Sequence, residues 1–309
     1  MASSNMTEAD PNPSSLVRFA RSKTTWRPGR IFAERQFHGY DEAQEAYISE
    51  VGATCVATQV EGANVGMQEI LNIQKQIPSG IENPGDVGPG DLADTKPCRY
   101  DIWASYDFTN LKTLTQLGCS CTPKLLGHKL VSQGPDDYVP GGFILYLLIE
   151  KLAGRNLVDF AQLPMFERDQ VRLAFAKAIY TGSEFYALRH KHNDPDRRNL
   201  IWDPKGKKCY IVVLEDAYSI NDDAKPAKFR PSIDWFNWNI AGPTLIAGDG
   251  VDSMMPYDDY KLTDPDDETL LGMMKNAAGK GVYIPNYSNL IFFRDSTIHS
   301  HPGELDQHG

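Results

Sequence analysis

The sequence predicts an α+β protein, and three patterns predict it. Residues Ile70 to Ile77 alternate apolar and polar side chains with the two-residue period of a half-buried strand. Two longer segments, about 100–117 and 165–188, repeat apolar residues at helical spacings. Residues 199–214 hold two short β-prone runs joined by Asp203-Pro204-Lys205-Gly206, whose Pro and Gly suit a type I turn.

Taken along the chain, residues 1–15 are polar, acidic and Pro-bearing, and predict a disordered leader. In the strand at 70–77, Leu71, Ile73 and Ile77 share one face, and Asn72, Gln74 and Gln76 share the other. The stretch PSGIENPGDVGPGDLADTKP predicts a long linker. Its Gly85, Gly88 and Gly90 lack the preceding strand that a phosphate-cradling loop needs. The helix from about Tyr100 to Leu117 places Trp103, Asp107, Leu111 and Leu114 on one face and stops at Gly118. Phe143 to Ile149 is an apolar run of buried-strand length. A second helix is expected from Met165 to about Leu188, with Arg189, His190 and Lys191 at its negative end. The cluster Trp235-Phe236-Trp238 reads as core, and Asp264-Pro265 caps a further expected helix.

Composition narrows the function classes. The chain has 309 residues, 41 % of them hydrophobic, with 31 Lys/Arg against 41 Asp/Glu and a net charge of −10. Residues 244–309 alone contribute −7, from 4 Lys/Arg and 11 Asp/Glu. Such a surface repels phosphates, so neither nucleic acid nor a membrane is an expected partner. The apolar runs are too short to span a bilayer, and the N-terminus lacks the order of a signal peptide, so a cytoplasmic location is expected. The five cysteines, Cys55, Cys98, Cys119, Cys121 and Cys209, show no zinc-site spacing and are expected as reduced thiols.

The hairpin draws polar residues together. Pairing through the Pro204–Gly206 turn sets Asn199 beside Val212, and the loop 192–198 beside residues 213–216. Asp194, Asp196, Asn199, Glu215 and Asp216 then gather at one hairpin end, either as oxygen ligands for magnesium or as a solvated acidic turn. No GxSxG elbow or HExxH zinc helix is present. Glu215 and Asp216 point to opposite faces of a strand, which does not suit a glycosidase pair.

His192-x-Asp194, with Asn199 five residues after the Asp, resembles the catalytic loop of the protein-kinase-like superfamily, which includes aminoglycoside and choline kinases. The segments LTQLGCSCTPKLLGH, VPGGFILYLLIEKLAGRNLVDF, ERDQVRLAFAKAI and HNDPDRRNLIWD resemble kinase-like proteins common in filamentous fungi. The resemblance implies a two-lobed protein-kinase-like fold: a small antiparallel-sheet lobe at 16–142 and a larger helical lobe at 143–309. It implies ATP and Mg as cofactors, and a protein or a small-molecule hydroxyl or amine as acceptor. Asp194 then matches the residue that orients the attacking hydroxyl, Asn199 a metal ligand, and His192 the loop's buttress. Glu150 matches the hinge that meets adenine, and Arg197 or Arg198 a basic group near the phosphate.

Three positions depart from that pattern. The lysine that grips the nucleotide phosphates is matched by Asn72, and nearby Lys75 falls on the opposite strand face. Its glutamate partner is matched by Asp107, and the magnesium-binding Asp by Val213. Glu215 and Asp216 are the nearest substitutes for that metal ligand, so Asp194 is expected close to one of them. Two function classes follow. One is an impaired ATP/Mg-dependent phosphotransferase; the other is a catalytically silent pseudokinase acting as a binding or scaffold protein.

Overall fold

A computed structural model describes residues 16–41, 46–78, 97, 102–180, 185–220 and 231–241. The expected leader, most of the linker and the helix expected after Asp264 lie outside the described residues. The chain divides into two units, one formed by residues 1–157 with 174–229 and the other by 158–173 with 230–309.

The first unit is built on an antiparallel sheet of six strands: β1 (Val17–Phe19), β2 (Thr24–Asp41), β3 (Ala46–Glu61), β4 (Gln68–Ile77), β5 (Leu125–Ser132) and β6 (Phe143–Ile149). Their order is β1-β2-β3-β4-β6-β5, and the sheet curls until it nearly closes into a barrel. Register shifts accompany that curl: the pairing of β2 with β3 shifts between Thr25 and Trp26 and twice between Pro28 and Ala33, and that of β5 with β6 between Leu125 and Gly127. The edges approach where Phe19 lies over Gly127; a Cβ there would stand 3.1 Å from the Phe19 ring. Inside the curl Val17, Phe19, Trp26, Val51, Leu71, Ile73, Tyr146 and Leu148 form one buried cluster.

The strand at 70–77 has the expected faces. Leu71, Ile73 and Ile77 are buried in that core. Lys75 leaves by the side opposite Asn72, and its Nζ bonds Asp137 Oδ1 at 2.7 Å. Helix α1 (Ile102–Gln116) buries Asp107, Leu111 and Leu114. It ends in a Schellman turn: Gly118, at φ 72°, follows the last turn, and Cys119 N–H bonds Leu114 O at 2.9 Å.

The remaining elements are β7 (Arg155–Asn156), α2 (Met165–Tyr180), β8 (His190–His192), β9 (Leu200–Asp203), β10 (Lys208–Ile211), β11 (Ala217–Ser219) and α3 (Pro231–Asn237). The hairpin forms as its turn residues predict, with Leu200 opposite Ile211 and Asp203 opposite Lys208. Val212 N–H bonds Asn199 O at 2.9 Å, so Asn199 lies beside Val212.

The expected kinase-like architecture, with a larger helical lobe after residue 142, is overturned. Among the described residues antiparallel sheet predominates, 42 % strand against 24 % helix. The apolar run that was to open the helical lobe is β6, hydrogen-bonded between β4 and β5 in the six-stranded sheet. The helix expected to reach Leu188 is described as Met165–Tyr180, and residues 185–189 form a turn rather than helix. Arg189 lies at φ 59°, and His190–His192 pairs with β11 as a strand instead of ending a helix. Periodicity could not distinguish a continuing helix from a turn whose apolar residues face the core.

Within the second unit, Arg172 Nε donates to Ile240 O at 2.7 Å, and Trp235 Nε1 donates to Arg172 O at 3.3 Å. Trp235 and Trp238 are buried, as the core reading of the aromatic cluster expects. No helix among the described residues is long and apolar enough to cross a membrane.

The strand faces can be checked by chemical denaturation. Leu71→Ala should cost about 2–5 kcal/mol through lost transfer and a residual cavity. Val65→Ala, in the exposed β3–β4 turn, should change stability by less than about 0.5 kcal/mol.

Candidate functional site

A cavity of about 440 Å³ opens beside the outer face of β4. Its wall includes Asn72 and Gln74 from β4, Arg35 and Phe37 from β2, Asp107 and Leu111 from α1, and Glu150 to Leu152 after β6. The segment Val212–Glu215 and Arg198 complete it. Volumes of this size hold small organic ligands.

Asp107 lines it, and among the described residues its side-chain hydrogen bonds come from two amides. Asn72 Nδ2 donates to Asp107 Oδ2 at 2.9 Å, and Gln74 Nε2 donates to the same oxygen at 3.1 Å. Burial, and then the negative charge of Glu215, push the Asp107 pKa up to about 8 against these hydrogen bonds. The group is therefore largely protonated at neutral pH. Glu215 is raised by burial too, although Arg35 opposes the shift, with Nη1 2.5 Å from Glu215 Oε1. Two carboxyl groups thus share one guanidinium.

Asn110, one turn beyond Asp107 on α1, fixes the segment that carries Glu215. Its buried Nδ2 donates to Leu214 O at 2.8 Å and Ala217 O at 2.6 Å. Val213 adopts the left-handed conformation, at φ 63° and ψ 66°, which a β-branched residue rarely takes. His192 holds it there: the ring accepts Asp194 N–H at Nδ1 (3.2 Å) and bonds Val213 O through Nε2 (2.8 Å). These partners assign the proton to Nε2. Burial lowers the His192 pKa further than the Val213 carbonyl raises it, so the ring is neutral.

The neighbouring loop is tied up internally. Arg198 Nη2 bonds both Asp194 oxygens, at 2.9 and 2.8 Å, and Asn199 Nδ2 donates to Asp194 O and Oδ2. Burial alone would raise Asp194, but the hydrogen bond and charge of Arg198 hold it below the usual carboxylate range. Asp196 caps the turn Arg197–Asn199 by accepting Arg198 N–H at 2.8 Å. Arg197 itself is buried, so Arg198 is the arginine that meets the cavity and Asp194. Asp216 accepts Asn193 N–H through its backbone, and its charge acts on His192 and Arg198, as does that of Asp194.

The residues nominated from sequence thus fall into two groups. Asn72, Asp107, Glu150 and Glu215 line the cavity, whereas His192, Asp194, Arg197, Asn199 and Asp216 build the adjoining loop and turn. Glu150 folds back, its Oε2 accepting Lys124 N–H at 3.2 Å. The N–H groups of Glu150 and Lys151 are bonded to Lys124 O and Glu69 Oε2. Arg35 and Asn110 escaped the sequence reading. Asn110 shares the helix face of Asp107, three residues on, and that spacing was a usable signal. Arg35 stands 180 residues from Glu215, and no local pattern links them.

A magnesium ion takes several oxygens converging on one point. Here the Asp194 oxygens face Arg198, Glu215 Oε1 faces Arg35, and the Val213 carbonyl faces His192. Asn199 Oδ1 is buried without a hydrogen-bond partner. Among the described residues no three His, Cys, Asp or Glu side chains are grouped as metal ligands. In this arrangement the side chains do not fit a magnesium site.

No protein-family model matches the chain, and no curated protein is significantly similar to it.

Two outcomes follow from this geometry. The folded state binds a proton at Asp107 that the unfolded chain, at an ordinary carboxyl pKa of 3.8, releases. Asp107 therefore lowers stability progressively as pH rises from about 4 to about 8. Asp107→Asn should flatten that part of the stability–pH curve and melt above the native protein at pH 9. Val213→Gly should raise the melting temperature by relieving about 1 kcal/mol of left-handed strain.

Proposed function

We propose that this chain is a catalytically silent binding protein whose cavity beside β4 is the ligand site. The hydrogen bond from Asn72 to Asp107 carries the reading. A phosphotransferase of the kind the catalytic-loop sequence resembles needs fixed positive charge against the nucleotide phosphates. At the corresponding position this chain offers an amide joined to a carboxyl, with Glu215 close enough to raise that carboxyl's pKa. Such a wall disfavours a triphosphate and leaves the cavity to a ligand of other chemistry.

One observation favours the second reading, a phosphotransferase of impaired competence using ATP and Mg. Asn199 Oδ1, at the place of the kinase metal-binding Asn, is a buried acceptor without a hydrogen-bond partner.

Melting curves with millimolar ATP and magnesium, run beside an assay for γ-phosphate release, separate the two. The expected result is an unchanged melting temperature and no release from the native protein. A magnesium-dependent rise accompanied by ATP turnover would replace silent binding with phosphoryl transfer.

A further inference from the structure

Gln74 is only 3 % exposed and lines the cavity, yet its Oε1 has no hydrogen-bond partner. A buried amide oxygen left unbonded is costly, so the site is short of a donor. Positive charge is scarce beside Asp107 itself, although Lys151 also lines the cavity, with its Nζ on Gln68 Oε1 at 3.1 Å. Arg35 from β2 is bonded to Glu215, while Asp107 is bonded to the neutral amides of Asn72 and Gln74. Arg198, the other arginine in the wall, is committed to Asp194. The pair Asp107 and Glu215, with one orphan acceptor beside them, therefore have one guanidinium, that of Arg35, between them. An ammonium group supplies what is missing, since it carries one positive charge and three N–H donors. The rest of the wall is suited to an apolar body, with Ile70, Leu111 and Ile149 among its residues.

We propose that the cavity takes an organic amine, its ammonium lodged against Asp107, Glu215 and Gln74 Oε1 and its apolar body against Ile70 and Ile149. The inference rests on reading this cavity as a ligand site and names the class of ligand. The ammonium occupies the charge position that a lysine at residue 72 would fill. Binding favours the ionised form of Asp107, so the carboxyl gives up its proton to solvent as the amine enters. Affinity accordingly increases with pH while Asp107 is protonated in the free protein, and levels off above about pH 8. The charged groups bearing on that titration are Glu215 and Arg35.

The probes are phenethylamine, protonated throughout the range used, and 2-phenylethanol, which replaces the ammonium with a hydroxyl. Titration calorimetry and melting curves on the full chain should show the amine binding at least about tenfold more tightly than the alcohol at pH 8. Its affinity should fall by up to about tenfold per pH unit below that. Asp107→Asn should remove the pH dependence and most of the preference for the amine. Gln74→Met, which keeps the side-chain volume and removes the acceptor together with the N–H donor to Asp107, should weaken the amine more than the alcohol and serves if the first variant folds poorly. Equal binding of amine and alcohol would overturn the cation preference while leaving the ligand site in place. Binding of neither probe, in a native protein that melts cooperatively, would remove the amine and count against the cavity as a ligand site. Tight ATP–magnesium binding with turnover would instead remove the silent-binding reading beneath both.

Discussion

Because successive side chains of β4 point to opposite faces, one strand serves two environments that cannot be exchanged. Leu71, Ile73 and Ile77 complete the barrel core, while Asn72 and Gln74 reach across to Asp107 on α1. A slip of one residue would bury both amides among aliphatic side chains and expose the core residues, at a cost of several kcal/mol. The same constraint sends Lys75 away from the cavity to Asp137. The cavity's lack of a lysine on this strand is therefore a matter of strand geometry as much as of composition. The one lysine near enough in sequence to compensate for Asn72 has the wrong parity.

The electrostatics of the cavity follow from that arrangement. Asp107 approaches β4 where only amides meet it, and burial makes its charge expensive. Glu215 is carried in by the turn that Asn110 anchors, and adds a like charge that pushes Asp107 further towards its neutral form. Arg35 meets Glu215 directly and acts on Asp107 only as a weaker opposing influence. The outcome is asymmetric: one carboxyl sits in an ion pair, and the other is held by amides and kept uncharged at neutral pH. The hydrogen bonds from Asn72 and Gln74 favour the charged form of Asp107, so they moderate the shift that burial imposes.

Local chemistry was legible where a short segment determines its own fold. The turn Asp203–Gly206 set the hairpin register, and with it the placement of Asn199 beside Val212. Gly118 marked the end of α1, and the alternation at 70–77 assigned both faces of β4. Legibility failed where the partner is distant in sequence. Nothing near Arg35 points to Glu215, and nothing in Phe143–Ile149 separates the first strand of a new lobe from a strand inside the existing sheet. The apolar residues Phe185 and Leu188 continued a helical spacing after Tyr180, although the chain had already left the helix. The expectation of a helical lobe came from resemblance of sequence segments, and of those segments only ERDQVRLAFAKAI lies wholly in a helix, α2. At the site, the sequence identified Asn72, Asp107, Glu150 and Glu215, which meet around one cavity, but not the arginine that pairs with one of the carboxyls.

The loop His192–Asn199 shows how a catalytic-looking pattern can take part in building structure. His192 secures Val213 in a conformation that valine resists, and Asn199 closes the loop onto Asp194 through backbone and side chain. Asp194 anchors Arg198, which stands in the cavity wall, and Asp196 caps the turn between them. A loop free to drift would release Val213 from its strained conformation and let Glu215 move with it. The hydrogen bonds of His192 and Asn110 hold the turn that delivers a second carboxyl to the cavity. His192, Asp194 and Asn199 thus hold the turn and the arginine that border the cavity.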